Sequence, residues 1–310
     1  MDLSKLKYHI LAFIVVAIWG VTFVSTKVLI GEGLHPSQIF AFRFILAYAG
    51  IWILELVTSR GQSIRLWADN WKEELIMLFL GITGGSIYFL TENTALAHTQ
   101  ACNVAFIVCS TPLITVLLTL LCRRLFKGRL REGLEKVTVG WRLIVGTALA
   151  FVGMGLIIFE GASFHFSLIG DLLSIAAALC WASYSILMSQ MTTDYGTVFV
   201  TRKVFFYGLL TIIPFLLLGN YNWDLSIMKN EAVWGNLLFL GVMASLVCFV
   251  IWNKVMAKLG NVTSTNYVYL NPFFTLVSAM IFLGEKMTPM SAIGSALLFV
   301  GVFMGSNKNK

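Results

Sequence analysis

The sequence predicts an all-α membrane protein whose ten transmembrane helices form two inverted five-helix repeats. Three observations predict it: a composition too apolar for a soluble surface, ten apolar runs of spanning length, and an internal repeat covering nearly the whole chain. Of the 310 residues, 58% are apolar and 12% are charged, whereas a soluble domain carries about 25% charged residues to face water. Crossing about 30 Å of hydrocarbon takes about 20 mostly apolar residues in a helix, because lipid cannot satisfy backbone N–H and C=O groups.

The charge-poor runs fall near residues 8–29, 36–57, 74–94, 101–122, 141–159, 171–193, 203–220, 232–253, 260–283 and 288–306. The second contains Arg43 and Glu55 and the third contains Glu92, so these two rest on flanking charge and on the repeat. The opening run has no small-residue cleavage site before the next span and reads as the first helix, not a signal peptide. Lys and Arg collect in short cytoplasmic loops. With the N-terminus inside, Lys5, Lys7, Arg60, Arg65, Lys72, the basic run from Arg123 to Arg142, Arg202, Lys203, Lys254, Lys258, Lys308 and Lys310 share the cytoplasmic face, and Lys27, Lys229 and Lys286 lie outside. The expected location is therefore the inner (plasma) membrane, multi-pass, with both termini cytoplasmic. The net charge of +7 reports this topology, and the loop at 123–140 faces anionic lipid headgroups, not nucleic acid.

The five cysteines, Cys102, Cys109, Cys122, Cys180 and Cys248, lie within or at the ends of the spans with no Cys-x-x-Cys pair, so neither a disulfide framework nor a zinc site is implied. His9, His35, His98 and His165 lack metal-ligand spacing, and no Gly-rich loop ends in Lys-Ser or Lys-Thr, which excludes ATP-driven pumping by this chain alone. No cofactor or metal is expected. Energy must come from gradients, protons among them.

Residues 93–113 and 253–273 align at a constant offset of 160, matching Asn93 with Asn253, Ala97 with Ala257 and Pro112 with Pro272, and Gly81 with Gly241 further back. Gly146, Ala148, Leu149, Phe151 and Gly153 recur as Gly294, Ala296, Leu297, Phe299 and Gly301 at an offset of 148, the difference being absorbed by the basic loop. Trp19 falls opposite Trp181, and Arg43 opposite Arg202. The chain thus divides into residues 1–160 and 161–310. Five helices is an odd number, so the second half enters the membrane from the opposite side, an arrangement that in secondary transporters places the solute site near the midplane between the halves. One chain carrying both halves can work as a monomer.

The residues also resemble the EamA-type transporters of the drug/metabolite transporter superfamily. The resemblance rests on Trp19-Gly20, Ala41 to Phe44, Asn93 to Leu96, Pro112, Trp181, Leu270 to Pro272, Leu283 to Lys286, and the closing Gly294 to Gly301, and it covers about 290 residues. One departure stands out: the acid usual after the fourth helix is replaced by Arg123 and Arg124, while Glu285 keeps it in the second half. The resemblance implies a transporter, not an enzyme, exporting amino acids, related metabolites or drugs by alternating access. The residues themselves do not set the direction. A channel or a membrane-embedded lipid enzyme is the alternative; the enzyme would need a catalytic constellation in the spans, and saturable, counterflow-competent flux would exclude a channel.

Polar residues spaced by three or four share one helix face. Such stripes run through Asn103, Thr111 and Thr115 in the fourth span and Thr263, Tyr267, Asn271 and Thr275 in the ninth. Trp19, Thr22 and Thr26 share a face of the first span, and Trp181, Tyr184 and Met188 a face of the sixth. Both tryptophans lie about 15 Å deep, away from the interfacial belt. Tyr88 and Glu92 of the third span correspond to Cys248 and Trp252 of the eighth. The expected small-molecule site comprises Trp19, Thr22, Tyr88, Asn103, Trp181, Tyr184, Trp252, Tyr267 and Asn271. Intramembrane charge is costly and marks an ion path or a paired charge, so Glu92 and Arg43 are assigned to ion coupling or to a charge pair.

Overall fold

The structure is a computed structural model that describes residues 3–59, 63–99, 101–125, 140–158, 167–218, 225–283 and 288–306. The described residues are almost entirely helical, with no strand among them. In chain order the helices are α1 (Leu3–Gly31), α2 (Pro36–Ser59), α3 (Trp71–His98), α4 (Ala101–Val108), α5 (Thr111–Leu125), α6 (Trp141–Ile158), α7 (Leu168–Tyr195), α8 (Thr197–Leu218), α9 (Glu231–Leu259), α10 (Asn261–Thr265), α11 (Asn271–Leu283) and α12 (Pro289–Ser306). Among the described residues seven helical stretches are long and apolar enough to cross a membrane, namely α1, α2, α3, α7, α8, α9 and the α4–α5 path over Val104–Cys122, with α6 and α12 shorter apolar helices. Large apolar side chains such as Val57, Leu217, Ile281 and Phe303 are exposed, as expected where lipid is the solvent.

Helix ends follow local chemistry. Asn70 caps α3 by accepting from Glu73 N at 3.1 Å, and Asn230 caps α9 by accepting from Ala232 N at 3.0 Å. Glu73, Glu74 and Glu231 stand in those first turns, where negative charge meets the positive helix end. Gly196 and Gly260 adopt φ of 83° and 87°, a region costly for residues with a Cβ, and each lets a long helix stop and the next begin at once.

Four helical paths are irregular, and the irregularities come in two pairs. A π-helical segment over Ile82–Ser86 interrupts α3, with Gly85 at φ −126° and ψ −106°, and another over Phe239–Val247 interrupts α9. These overlap at the offset of 160. The α4–α5 path breaks just before Pro112, and the path from α10 passes through a 3₁₀ turn, Asn266–Leu270, just before Pro272. Proline cannot donate to the preceding turn and disfavours helical geometry in the residue before it, which accounts for both breaks. The continuous fourth and ninth spans expected from hydropathy are therefore each divided. The seventh differs too: α8 begins at Thr197, so Arg202 and Lys203 lie inside it, 3% and 5% exposed.

The ends of the two sequence halves meet where α6 crosses α12. A Cβ on Gly146 would lie 2.6 Å from Gly301 O, and one on Gly301 would lie 2.5 Å from Gly146 O; Gly153 and Gly294 oppose each other the same way, at 2.5 and 2.6 Å. Without side chains the backbones touch directly. Gly20, the second residue of the Trp-Gly pair, similarly admits α11: its Cβ would stand 2.5 Å from Phe274 Cβ. The basic run beyond Leu125, the Glu285-Lys286 portion of the Leu-Gly-Glu-Lys motif and the Asn103 side chain lie outside the described residues.

Since the opposing backbone at this crossing cannot yield as a side-chain tip could, Gly301→Leu should cost about 1–3 kcal/mol by overpacking, read as a lower unfolding temperature in detergent. Gly235→Ala, which meets open space inside a helix, should not lower it and should raise it slightly through the lost entropy of the unfolded chain.

Candidate functional site

A cavity of about 40 Å³ lies inside the bundle, lined by α1, α2, α3, α4, α5, α7, α9, the 3₁₀ turn and α11. Much of its wall consists of residues equivalent in the repeat: Trp19 with Trp181, Phe89 with Phe249, Val108 with Val268, and Thr111 with Asn271. The last three pairs share the offset of 160. Both proline breaks are flanked by these residues, and both π segments lie a turn or less before cavity residues in the chain, at Tyr88–Phe89 and Phe249.

The aromatic wall is tightly fixed. Trp19 packs edge-on against Trp181 with centroids 5.3 Å apart, and Tyr88 lies 5.0 Å from Trp181. The Trp19 indole N–H donates to Ala244 O at 3.0 Å, a carbonyl in the π segment of α9. Thr22 Oγ1 donates to its own helix at Trp19 O, and Thr275 Oγ1 donates across to Gly20 O at 2.7 Å. Asn271 is 5% exposed and its Oδ1 has no partner among the described residues. A buried amide oxygen left in this way costs free energy and offers an acceptor to whatever enters.

Two opposite charges reach the same cavity. Arg43, 2% exposed, donates through Nε to Ser245 Oγ at 2.9 Å, and its guanidinium lies 4.1 Å over the Phe89 ring. Glu92, 8% exposed, accepts from the Tyr88 hydroxyl at 2.9 Å. Glu92 thus turns inward to the cavity, not outward to headgroups. The ion pairs within 4 Å among the described residues join other groups: Arg65 to Asp69, Arg202 to Glu55 at 3.0 Å and Lys203 to Glu74 at 2.5 Å.

Of the residues expected at the site, Trp19, Thr22, Tyr88, Trp181, Asn271, Arg43 and Glu92 line the cavity together. Tyr184 and Trp252 stand behind the wall, both wholly buried. The Tyr184 hydroxyl donates to Asn253 Oδ1 at 2.7 Å, and Trp252 lies 5.0 Å from Trp19. Tyr267 sits 2.7 Å from His9 Nδ1 through its hydroxyl, away from the cavity. Thr111 and the apolar Phe23, Phe89, Val108, Phe249 and Val268 complete the wall. Sequence reasoning passed over the apolar ones because an apolar side chain in an apolar helix carries no contrast; the offset of 160 was the signal that could have found two pairs, Phe89 with Phe249 and Val108 with Val268.

A second charged cluster, unforeseen in the sequence, joins the two sequence halves at the end of the bundle where α2 finishes and α3 begins. Glu74 binds Lys203 and accepts from Tyr207, while its other oxygen accepts from Ala68 N at 2.8 Å. Tyr195 donates to Glu73, Arg202 donates to Arg65 O, and the Arg202 and Lys203 cations lie 4.5 and 4.3 Å over Trp52 and Trp67. Every one of these contacts except that of Ala68 joins the first sequence half to the second. A double-mutant cycle of Glu74→Gln and Lys203→Gln should return a coupling of about 1–3 kcal/mol in detergent unfolding, since Lys203 is buried.

Comparison with known proteins places the chain in context. The EamA-like transporter family matches residues 6–159 and again 168–306. An uncharacterized transporter of Archaeoglobus fulgidus is 27% identical over 305 residues, 97% of this chain and 98% of the relative. A probable amino-acid metabolite efflux pump of Escherichia coli (strain K12) is 26% identical over 313 residues, 96% of this chain and 94% of the relative. A solved crystal structure shares the fold with a TM-score of 0.70 at 18% identity, covering 97% of this chain and 96% of that one.

Proposed function

The chain belongs to the EamA-like transporter family and is a membrane transporter of small solutes, and from that premise we propose that it exports amino acids or related metabolites by alternating access through the central cavity. The observation that carries this reading is the pairing of cavity residues across the repeat: Trp19 with Trp181, Phe89 with Phe249, Val108 with Val268 and Thr111 with Asn271. A site on the axis relating two halves can face either side of the membrane as the halves rock.

The proposed architecture is ten spans in two inverted five-helix repeats, 1–160 and 161–310. The α6–α12 crossing supports inversion. Gly146 meets Gly301 and Gly153 meets Gly294, so position rises on one helix as it falls on the other, and each contact recurs with its roles exchanged. That is the signature of a two-fold axis across antiparallel helices. The divided paths α4–α5 and α10–α11 supply the fourth and ninth spans, and α6 and α12 the fifth and tenth. Lys and Arg placement supports cytoplasmic termini in an inner (plasma) membrane.

In that orientation the Glu74–Lys203 and Glu55–Arg202 pairs form a cytoplasmic gate. The offset of 160 puts Trp234 opposite Glu74, and among the described residues the outer side holds Ser25 with Asn236 at 2.5 Å and Asn230 with Glu32 at 2.8 Å. The cavity is smaller than an amino acid, so admission requires the helices to part. Within it Trp19, Thr22, Tyr88, Trp181 and Asn271 contact the solute, with Tyr184 and Trp252 backing the aromatic wall. Tyr267 and Asn103 extend the polar stripes, and Glu92 with Arg43 carries ion coupling or charge balance. Export accords with the E. coli relative, named a probable amino-acid metabolite efflux pump.

Unfolding of the purified protein in detergent against amino acids, related metabolites and cationic dyes tests the site. Saturating amino acid or metabolite should raise the unfolding temperature, with about 2.7 kcal/mol gained at a hundredfold excess over Kd. The shift should vanish in Trp19→Ala or Asn271→Ala. A shift that survives both substitutions would place the solute elsewhere, and a response to dyes alone would overturn the substrate class.

A further inference from the structure

We propose that the cavity selects zwitterions, with Arg43 taking the solute's carboxylate and Glu92 its ammonium group. The inference rests on the reading of the cavity as the solute site and adds the chemistry that this site recognises. Its starting point is an asymmetry. The cavity's apolar wall is duplicated, but its charge is not: the equivalents of Tyr88 and Glu92 are Cys248 and Trp252, and the equivalent of Arg43 is Arg202, which binds Glu55 in the other cluster. Both cavity charges therefore come from the first half of the chain.

Each is hydrogen-bonded by neutral groups, and the two charges feel each other across the cavity without forming an ion pair. Ser245 accepts from Arg43 Nε at 2.9 Å and the Phe89 face lies 4.1 Å from the guanidinium carbon, so one edge and one face of the fork are occupied. The terminal nitrogens are the donors that bind carboxylates in bidentate fashion. Tyr88 donates to one Glu92 oxygen at 2.9 Å and fixes the carboxyl without neutralising it. A guanidinium and a carboxylate deep in a membrane protein each call for an opposite charge. A solute bearing both charges satisfies the two at once, whereas one bearing a single charge leaves the other desolvated and unmatched. Trp19, Trp181 and Phe249 line the same space and receive the solute's side chain, so the zwitterionic head points to the first half and the variable group to the shared aromatic wall.

The test uses L-alanine, L-leucine and L-phenylalanine with the methyl ester and N-acetyl derivative of each, read by unfolding temperature and by counterflow into proteoliposomes. In the unmodified protein the free amino acids should bind about ten- to a hundredfold more tightly than either derivative, the value of losing one charge-assisted contact. Arg43→Gln should erase the preference over the esters and keep that over the N-acetyl compounds, and Glu92→Gln should do the reverse. Arg43→Lys retains the charge and should keep part of the first preference, which separates recognition from a folding defect. Equal binding of parents and derivatives by the unmodified protein, still lost in Trp19→Ala, would overturn the clamp and leave the cavity as the solute site. No response to any of the nine compounds would overturn the substrate reading and the clamp with it.

Discussion

Irregular backbone can persist at membrane depth only where it is buried in protein or borders a polar cavity, because hydrocarbon offers nothing to a freed N–H or C=O. The rest of this structure depends on that constraint. Its two π segments and two proline breaks all fall on helices that meet around one cavity. The carbonyl of Ala244 in one π segment receives the Trp19 indole, and Thr111 and Asn271, the first residues after the two breaks, both face the cavity. π segments recur at functional sites for the same reason: they release backbone groups and re-aim side chains.

Around this centre the molecule balances symmetry against asymmetry. Close glycine contacts between α6 and α12 and the paired cavity residues recur across the two sequence halves. Charge breaks the equivalence at two places. Arg43 and Glu92 line the cavity from one half, while Arg202 binds Glu55 in the proposed gate. The same arginine position in the two repeats thus has two tasks, and the gate pairs gain weight from burial: Lys203 and Arg202 are 5% and 3% exposed, where breaking a pair leaves an uncompensated charge.

Helical class and family were legible in the sequence because both rest on long-range statistics: apolar composition, spanning runs and recurring motifs. Trp19 and Trp181 were legible because tryptophan at mid-depth is out of place, and Glu92 and Arg43 because charge there is costly. Phe89, Val108, Phe249 and Val268 were not, since nothing separates a cavity-facing apolar residue from a lipid-facing one within a uniformly apolar helix. The gate escaped notice because Glu74, Arg202 and Lys203 sit near span ends, where charge normally reports the headgroup region. Only the start of α8 at Thr197 brings the two cations inside. Tyr184 and Tyr267 shared the expected helix faces, but periodicity resolves a face, not which neighbour it meets, and they found Asn253 and His9.

The central claim is that equivalent residues of the two halves face one solute site. Its most direct measurement is solute protection of single cysteines at Val108→Cys and Val268→Cys, in a background with Cys102, Cys109, Cys122, Cys180 and Cys248 replaced. A transported amino acid should slow modification of both cysteines by a small thiol reagent to the same degree and at the same half-saturating concentration. Protection of one with the other untouched, or of neither while transport proceeds, would contradict a shared site between the halves.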